Sequence, residues 1–340
     1  MASKTVYFRA DANSKIGLGH LTRLMALGGM IQNYFECCFL IQNPDNTTVE
    51  SIKSRGFSFI ALDSSDDFQL EANNIKNVIP DGSIIVLDGY HFDELYFKIL
   101  RTKGNKLVLI DDFVKSYKNL DMIINHALGL KKSDYKHLHL KYFLGADHVL
   151  LRPSFLELAK NERTIHEVKK AFVCFGGADY HNLTLKFLKA VEDLPEITET
   201  HVVLAASFPF SESINNYVSE SNKKIIIHHN LEENAMAELM SSCDFAFGPT
   251  SGLSFEICAA KLVFVGGYYV DNQKAIHDGF ESEGCLVSMG DLSKVNKSEI
   301  VKKIRIVLND SDLITNMIQS QKKVIDGNSD KRLLKAIMEL

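Results

Sequence analysis

The chain alternates short apolar runs with amphipathic segments, and this alternation restarts about halfway along its 340 residues. In the first half the apolar runs predict strands at 6–8, 37–41, 59–62, 84–88, 107–111 and 122–125. In the second half they predict strands at 171–175, 200–205, 224–228, 245–248, 262–265 and 285–287. The segments between the strands predict helices at 20–33, 93–103, 182–193, 211–221, 232–242, 251–260 and 272–284. Such alternation is typical of parallel sheets covered by helices, so the sequence predicts an α/β protein with two doubly wound, Rossmann-like domains.

A charged stretch, LAKNERTIHEVKK at 158–170, is suited to the joint between the two domains. We therefore expect an N-terminal Rossmann-like domain over 1–157, which carries a histidine-containing loop, and a C-terminal Rossmann-like domain over 168–312. The last segment, 313–340, has a helical pattern and is expected to form a C-terminal tail.

The composition is typical of a globular protein and argues against several kinds of partner. With 46% apolar and 24% charged residues the chain can bury a sizeable core, and its net charge of −5 argues against nucleic acid or an anionic membrane as a partner. No apolar stretch reaches the roughly eighteen residues of a membrane span, and no apolar leader opens the chain. We expect a cytoplasmic protein with reduced thiols, and the six cysteines lack the spacing of a structural metal site.

The first candidate loop is FRADANSKIGLGHLTR at 8–23, directly behind the first predicted strand. Gly17 and Gly19 let the backbone turn tightly and approach a ligand, and the following helix starts near His20. The spacing is not that of a dinucleotide-binding loop, so a nicotinamide cofactor is not expected. His20 is either a proton-transfer group or a solvent-facing residue of the first helical turn.

Polar residues also follow two later strands of the first half. Tyr90 and His91 come after the strand at 84–88, where they could bind a sugar or cap the next helix. Asp111 and Asp112 end the next strand, and capping or ordering of the loop is favoured there over a metal site.

The second half offers two phosphate-binding candidates. Gly176 and Gly177 form a glycine turn after the first strand, and Asn182 stands at the start of the next helix. Thr250 and Ser251 can cap a later helix and can also bind a diphosphate.

Three further side chains of the second half could contact the rest of a nucleotide sugar. Glu256, one turn into a helix, could take both hydroxyls of a ribose, although such a carboxylate also commonly faces solvent. Asn272 and Gln273 offer uncharged donors and acceptors for sugar hydroxyls and amides.

The same loops, taken in order, resemble a known family. FRADANSKIGLGHLTR (8–23), LDGY (87–90), LGADHVLLRPSF (144–155), CFGGADYHNLT (174–184), GPTSGLSFE (248–256) and DNQ (271–273) are similar to the corresponding stretches of the nucleotide-sugar hydrolases of pseudaminic acid biosynthesis. These enzymes act on UDP-2,4-diacetamido-2,4,6-trideoxy-β-L-altropyranose. The resemblance covers roughly residues 5–290.

The resemblance implies two Rossmann-like domains that face each other across a cleft, as in glycosyltransferase-B enzymes such as MurG. It implies that water attacks the anomeric carbon and releases UDP and the free sugar, without a metal or cofactor. The catalytic residues it implies are His20, Tyr90 and Asn272. The substrate-binding candidates are Asp11, Gly17, Gly19, Arg23, Gly176, Gly177, Asn182, Thr250, Ser251, Glu256 and Gln273.

Two other functions remain open from the sequence. A glycosyltransferase of the same architecture would transfer the sugar from a UDP donor to an acceptor instead of water. A catalytically silent protein would only bind the nucleotide sugar. The sequence also leaves open a related diacetamido-trideoxyhexose as substrate, the oligomeric state, and the roles of Arg9, Asp11 and Asp88.

Overall fold

The computed structural model describes residues 4–11, 19–136, 140–176, 179, 181–205 and 208–340. Within these residues the strands are β1 (Thr5–Arg9), β2 (Glu36–Gln42), β3 (Ser58–Leu62), β4 (Ile84–Asp88), β5 (Lys106–Ile110), β6 (Met122–Asn125), β7 (Lys141–Leu144), β8 (Lys170–Val173), β9 (Glu199–Leu204), β10 (Lys224–His229), β11 (Phe245–Pro249), β12 (Val263–Tyr268) and β13 (Val287–Asp291). The helices are α1 (Gly19–Ile31), α2 (Asn46–Ser54), α3 (Phe68–Val78), α4 (Glu94–Arg101), α5 (Pro153–Lys160), α6 (Leu183–Val191), α7 (Ser211–Glu220), α8 (Glu233–Ser242), α9 (Gly252–Ala259), α10 (Lys274–Ser282), α11 (Lys297–Leu308), α12 (Ser311–Val324) and α13 (Ser329–Met338).

Packing divides the chain into two compact units. The first contains Met1–Pro153 together with Asn328–Leu340, and the second contains Ser154–Gly327. The C-terminal helix α13 therefore belongs to the first unit, where Lys141 donates to the Glu339 carbonyl and Arg332 donates to the Asp147 carbonyl. The domain boundaries expected from the sequence remain a prediction.

The first unit is a seven-stranded sheet in the order β3-β2-β1-β4-β5-β6-β7, with every neighbouring pair parallel. The central strands are almost continuously apolar because helices cover both of their faces, and all five residues of β4 are buried. The strand order reverses between β1 and β4, where a doubly wound sheet binds its ligands.

The second unit repeats this pattern with six parallel strands in the order β10-β9-β8-β11-β12-β13. Its strands approach closely at their carboxyl ends. A Cβ atom on Gly267 would lie 2.2 Å from the Gly290 carbonyl oxygen, so only glycine fits there. The prediction of an α/β protein with two Rossmann-like, parallel-sheet domains is confirmed.

Most of the predicted strands lie where the apolar runs placed them, with two differences. The strand predicted at 285–287 is β13 at Val287–Asp291, because Cys285 instead closes the end of α10 through its N–H bond to Phe280. The sequence prediction also missed β7, an edge strand that is partly exposed and therefore lacks a buried apolar run. Of the helices in the described ranges, none has the length and hydropathy needed to span a bilayer.

Candidate active site

His20 lies at the reversal point of the first sheet, in the first turn of helix α1, and is buried. Its Nδ1 atom lies 2.7 Å from Oδ1 of Asp88, the fully buried last residue of β4. Arg23 Nη2 also lies 3.1 Å from this nitrogen, but its two N–H groups are directed to Asp88 and Asp112. Because an ionised carboxylate only accepts hydrogen bonds, Nδ1 carries the proton in the neutral ring and donates a hydrogen bond to Asp88. Nε2 is then the unprotonated nitrogen, which is the state that a general base requires.

Arg23, one turn further along α1, holds this pair in place. Its Nε and Nη2 donate to both carboxylate oxygens of Asp88, at 2.9 and 2.7 Å. Its Nη1 and Nη2 donate to both oxygens of Asp112, after β5, at 2.6 and 2.9 Å. Two forked contacts to two carboxylates fix the guanidinium plane, and with it the carboxylate that orients His20.

The opposite charges of Arg23 and its carboxylate partners stabilise one another. Burial alone lowers the pKa of Arg23, but Asp88 and Asp112 more than offset it and hold that pKa above its usual value. Burial raises the pKa of Asp112, yet Arg23 outweighs burial and leaves it below its usual value. Arg23 and Asp112 therefore stay charged at neutral pH.

The rings of Tyr90 and His20 form a T-shaped pair, with centroids 4.6 Å apart and planes at 87°. Its hydroxyl donates to Asp112 at 3.1 Å. A cavity of about 280 Å³ opens beside these groups, and its lining residues are Asp11, His20, Asp88, Gly89, Tyr90 and His91. The structure therefore brings the predicted residues Asp11, His20, Arg23 and Tyr90 to one place.

Asp11 is held by a buried ion-pair network. Arg9, which is fully buried, donates to both carboxylate oxygens of Asp11 and to both oxygens of Glu71. Tyr96 donates to Glu71 at 2.6 Å. The network anchors the end of β1 and fixes the orientation of the Asp11 carboxylate at the cavity.

Sequence reasoning missed His126, a buried residue just after β6. Burial, and to a smaller extent Arg23, lowers the pKa of His126 to about 4, so its ring is neutral at neutral pH. The Leu150 N–H points to its Nδ1 at 3.4 Å. The one indication in the sequence was that His126 directly follows a predicted strand, where doubly wound sheets bind their ligands.

Asp111 has the loop-ordering role expected for it. Its carboxylate accepts the N–H groups of Phe113 and Val114 and the hydroxyls of Tyr117 and Tyr135. These contacts occupy both of its oxygens.

In the second unit, the first candidate phosphate loop contains an acid of its own. Asp179 is buried and accepts the N–H groups of Leu183 and Thr184, at 2.7 and 2.9 Å, so it caps helix α6. Burial raises the pKa of Asp179. The amides that a phosphate would use at this helix are therefore already occupied in the described conformation.

The neighbouring residues of this loop keep features of a binding turn. Gly176 has φ of +73° and Asn182 has φ of +48°, both in the left-handed region. The Oδ1 atom of Asn182 is buried and has no hydrogen-bond partner among the described residues. Gly17 and Gly177 lie outside the described residues, while Gly19 starts α1, where an added Cβ would meet no described atom within 4 Å.

In the second candidate loop of this unit, the polar groups of Thr250 and Ser251 form hydrogen bonds within the unit. The buried Thr250 directs both its N–H and its hydroxyl to the Gly267 carbonyl, at 2.7 and 3.0 Å. Ser251 is the N-cap of α9 and exchanges hydrogen bonds with Ser254 and Leu253. The capping role expected for Ser251 is present, and Thr250 instead ties this loop to β12.

The remaining predicted residues of the second unit differ in exposure. Gln273 is buried, and its Oε1 accepts the Tyr269 N–H at 3.0 Å, which closes the turn after β12. Asn272 is exposed in the short helix Asp271–Gln273, and Glu256 is buried in α9. A ribose role for Glu256 and a sugar role for Asn272 remain predictions.

Comparison with known proteins adds to this geometry. Over 275 residues the chain is 26% identical to the UDP-2,4-diacetamido-2,4,6-trideoxy-beta-L-altropyranose hydrolase of Campylobacter jejuni. This alignment covers 79% of this chain and 93% of that protein. The chain is 22% identical over 339 residues to the spore coat polysaccharide biosynthesis protein SpsG of Bacillus subtilis, which covers 97% of both chains. It is 27% identical over 282 residues to an uncharacterized protein of Methanocaldococcus jannaschii, and this match spans 79% of the chain but 57% of that protein.

Solved structures show the same fold. MurG of Acinetobacter baumannii superimposes with a TM-score of 0.66 at 11% identity, over 99% of this chain and 100% of that one. A glycosyltransferase of Rickettsia africae superimposes with a TM-score of 0.65 at 11% identity, over 100% and 98%. No family model matches the chain. The chain therefore has the glycosyltransferase-B fold. Its relatives in sequence include proteins named for nucleotide-sugar hydrolysis and polysaccharide biosynthesis.

Proposed function

We propose that this chain is a nucleotide-sugar hydrolase that acts on UDP-2,4-diacetamido-2,4,6-trideoxy-β-L-altropyranose and serves pseudaminic acid biosynthesis. One observation carries the proposal: His20 bonds through Nδ1 to the buried Asp88 and lines a cavity at the reversal point of the first sheet. The likeness to the hydrolase of Campylobacter jejuni supports the same substrate.

In the proposed reaction, Nε2 of His20 takes a proton from water as the water oxygen bonds to the anomeric carbon. The bond from that carbon to the diphosphate oxygen breaks, and its electron pair leaves with UDP. The imidazolium that forms keeps its Nδ1–H bond to Asp88, whose negative charge stabilises it. The proton then returns to solvent, and the products are UDP and the free sugar.

Other residues of the first unit position the sugar in this proposal. Tyr90 borders His20, and Asp11 borders the same cavity with its carboxylate fixed by Arg9. Arg23 fixes Asp88 and acts through it, so it is a positioning residue.

The second unit binds the nucleotide in this proposal. Gly176 and Asn182 each have a left-handed backbone conformation, and the Asn182 amide oxygen has no partner among the described residues. Asn272 and Gln273 offer uncharged polar groups. Because Asp179 already caps α6, we propose that phosphate contacts use other donors of this unit than the Leu183 and Thr184 amides.

The test is incubation of the purified chain with the altrose-configured UDP-sugar in ¹⁸O-labelled water. We expect release of UDP, with the label in the free sugar and not in UDP. His20→Ala should lower kcat by about 10²–10⁴-fold without unfolding the chain, whereas the exposed His166→Ala should match the wild type.

Two other results would replace the proposal. UDP release that requires an added sugar acceptor would identify a glycosyltransferase. Calorimetric binding of UDP with no turnover of the UDP-sugar would identify a binding protein.

A further inference from the structure

His91 is a polar side chain at the cavity to which the proposed reaction gives no role. Its Nε2 atom is buried and has no hydrogen-bond partner among the described residues. A buried polar atom without a partner is destabilising, so this nitrogen is suited to pair with a ligand atom. Nε2 lies 3.7 Å from Oδ2 of Asp11, which is beyond hydrogen-bond distance.

The positions of both groups are fixed. The His91 ring stacks on Phe68, with centroids 4.3 Å apart, and also contacts the ring of Phe92, tilted by 53° at 4.1 Å. A Cβ atom on Gly89 would lie 3.2 Å from the imidazole, so the glycine leaves room for the ring. Asp11 is held by Arg9, whose Nη2 occupies one of the two acceptor positions of Oδ2, and no other described residue donates to this oxygen.

The protonation of the pair selects one kind of ligand atom. Burial, reinforced by Arg9, lowers the pKa of His91, so the ring is neutral and Nε2 can carry a proton to donate. Oδ2 of Asp11 only accepts. A hydroxyl both donates and accepts, so it can bridge the two groups, whereas an acetamido N–H only donates and a carbonyl oxygen only accepts.

We propose that His91 and Asp11 form the subsite for the sugar's 3-hydroxyl, and that His91 is a specificity-determining residue. This inference rests on the proposed function. In the 2,4-diacetamido-2,4,6-trideoxy sugar, positions 2 and 4 carry amides, position 6 is a methyl group, and the ring oxygen takes position 5. Carbon 3 therefore carries the one free hydroxyl of the UDP-linked pyranose ring.

The experiment compares UDP release from UDP-2,4-diacetamido-2,4,6-trideoxy-β-L-altropyranose and from its 3-deoxy analogue. In the wild type we expect kcat/KM to favour the parent by about tenfold or more, since the hydroxyl makes two hydrogen bonds in the subsite. His91→Phe keeps an aromatic ring between Phe68 and Phe92 but removes the nitrogen, and should reduce that preference about fivefold.

His148→Phe is the matched control, because His148 also packs on a phenylalanine, Phe143, and does not line the cavity. It should keep the wild-type preference. Asp11→Asn is the second variant and should also lose discrimination. An unchanged preference in a folded His91→Phe variant, or no preference in the wild type, overturns the subsite.

A wild type that releases no UDP from either compound contradicts the proposed function, and the subsite is then judged by binding alone. Saturation-transfer NMR with free 2,4-diacetamido-2,4,6-trideoxy-L-altropyranose should show contact at the proton on carbon 3. Loss of that contact in His91→Phe, with retention in His20→Ala, supports the subsite. Absence of that contact in the wild type overturns it.

Discussion

Asp88→Asn is the substitution that most directly tests the arrangement around His20. The amide has the shape of the carboxylate but replaces one acceptor oxygen with a donor. In one orientation its NH₂ group faces Arg23 Nε, which lies 2.9 Å from Asp88 Oδ2 in the wild type. In the other it faces Nδ1 of His20, 2.7 Å from Oδ1, and forces the proton onto Nε2.

The expected losses follow from these contacts. The flipped orientation abolishes the base, and either orientation removes the negative charge that stabilises the imidazolium, so kcat should fall by about 10²–10⁴-fold. Breaking a buried ion pair typically costs about 3–5 kcal/mol of unfolding free energy. Because Arg23 keeps its two contacts to Asp112, we expect the lower end of that range.

Asp112→Asn is the matched control. It removes the other forked contact of Arg23 and should destabilise the chain, but it leaves the His20–Asp88 bond intact. Its effect on kcat should be at least tenfold smaller than that of Asp88→Asn. UDP release measures kcat, and urea unfolding measures stability for each variant.

The double variant with His20→Ala decides the reasoning. If Asp88 acts through His20, the kcat of the double variant should be close to that of His20→Ala alone. If the two substitutions instead lowered kcat independently, so that their fold-reductions multiplied, the role assigned to Asp88 would be refuted. Equal reductions of kcat in Asp88→Asn and Asp112→Asn would also refute it.

Two further predictions concern stability. The pKa of His126 is about 4 in the folded chain and 6.5 ordinarily, so the neutral ring favours the folded state. Its contribution to the free energy of unfolding is complete above pH 6.5 and decreases as the pH falls toward 4, by up to about 3 kcal/mol. Urea unfolding at several pH values should show that the unfolding free energy falls less steeply between pH 6.5 and 4 in His126→Gln than in the wild type or in the exposed His166→Gln. The same pH dependence in all three proteins would contradict this prediction. Gly267→Ala should lower the unfolding free energy by about 3 kcal/mol, because its Cβ would meet the Gly290 carbonyl. Gly252→Ala, with open space around it, should leave thermal unfolding nearly unchanged, and equal melting temperatures for the two alanine variants would contradict the steric argument.

The sheets could be predicted because a parallel strand covered on both faces needs a continuous apolar run, and β4 with five buried residues is such a run. The edge strand β7 could not, because its residues Lys141–Leu144 are exposed or half-buried and carry no comparable pattern. A strand that is only partly buried is under weaker compositional constraint.

The candidate site shows the same limit. The pattern of a strand followed by glycine marked His20 and Tyr90 only as candidates, and the family resemblance implied their catalytic roles. The partnership of Arg23 with Asp88 and Asp112 spans 65 and 89 positions of the chain, so no local spacing predicts it. Only the order of the strands, which places the ends of β1, β4 and β5 side by side, brings these residues together.

The acids beside helices α1 and α6 come from different parts of the chain. Beside α6 the acid is Asp179, which precedes this helix in sequence and accepts the Leu183 and Thr184 amides. In the first unit, helix α1 has no acidic residue in its first turn, and the acid beside it is Asp88 from β4. Asp179 therefore satisfies the start of its own helix, whereas Asp88, from another strand, orients the side chain of His20 at the start of α1. The position of Asp88 therefore makes His20 the better candidate for proton transfer in the proposed reaction.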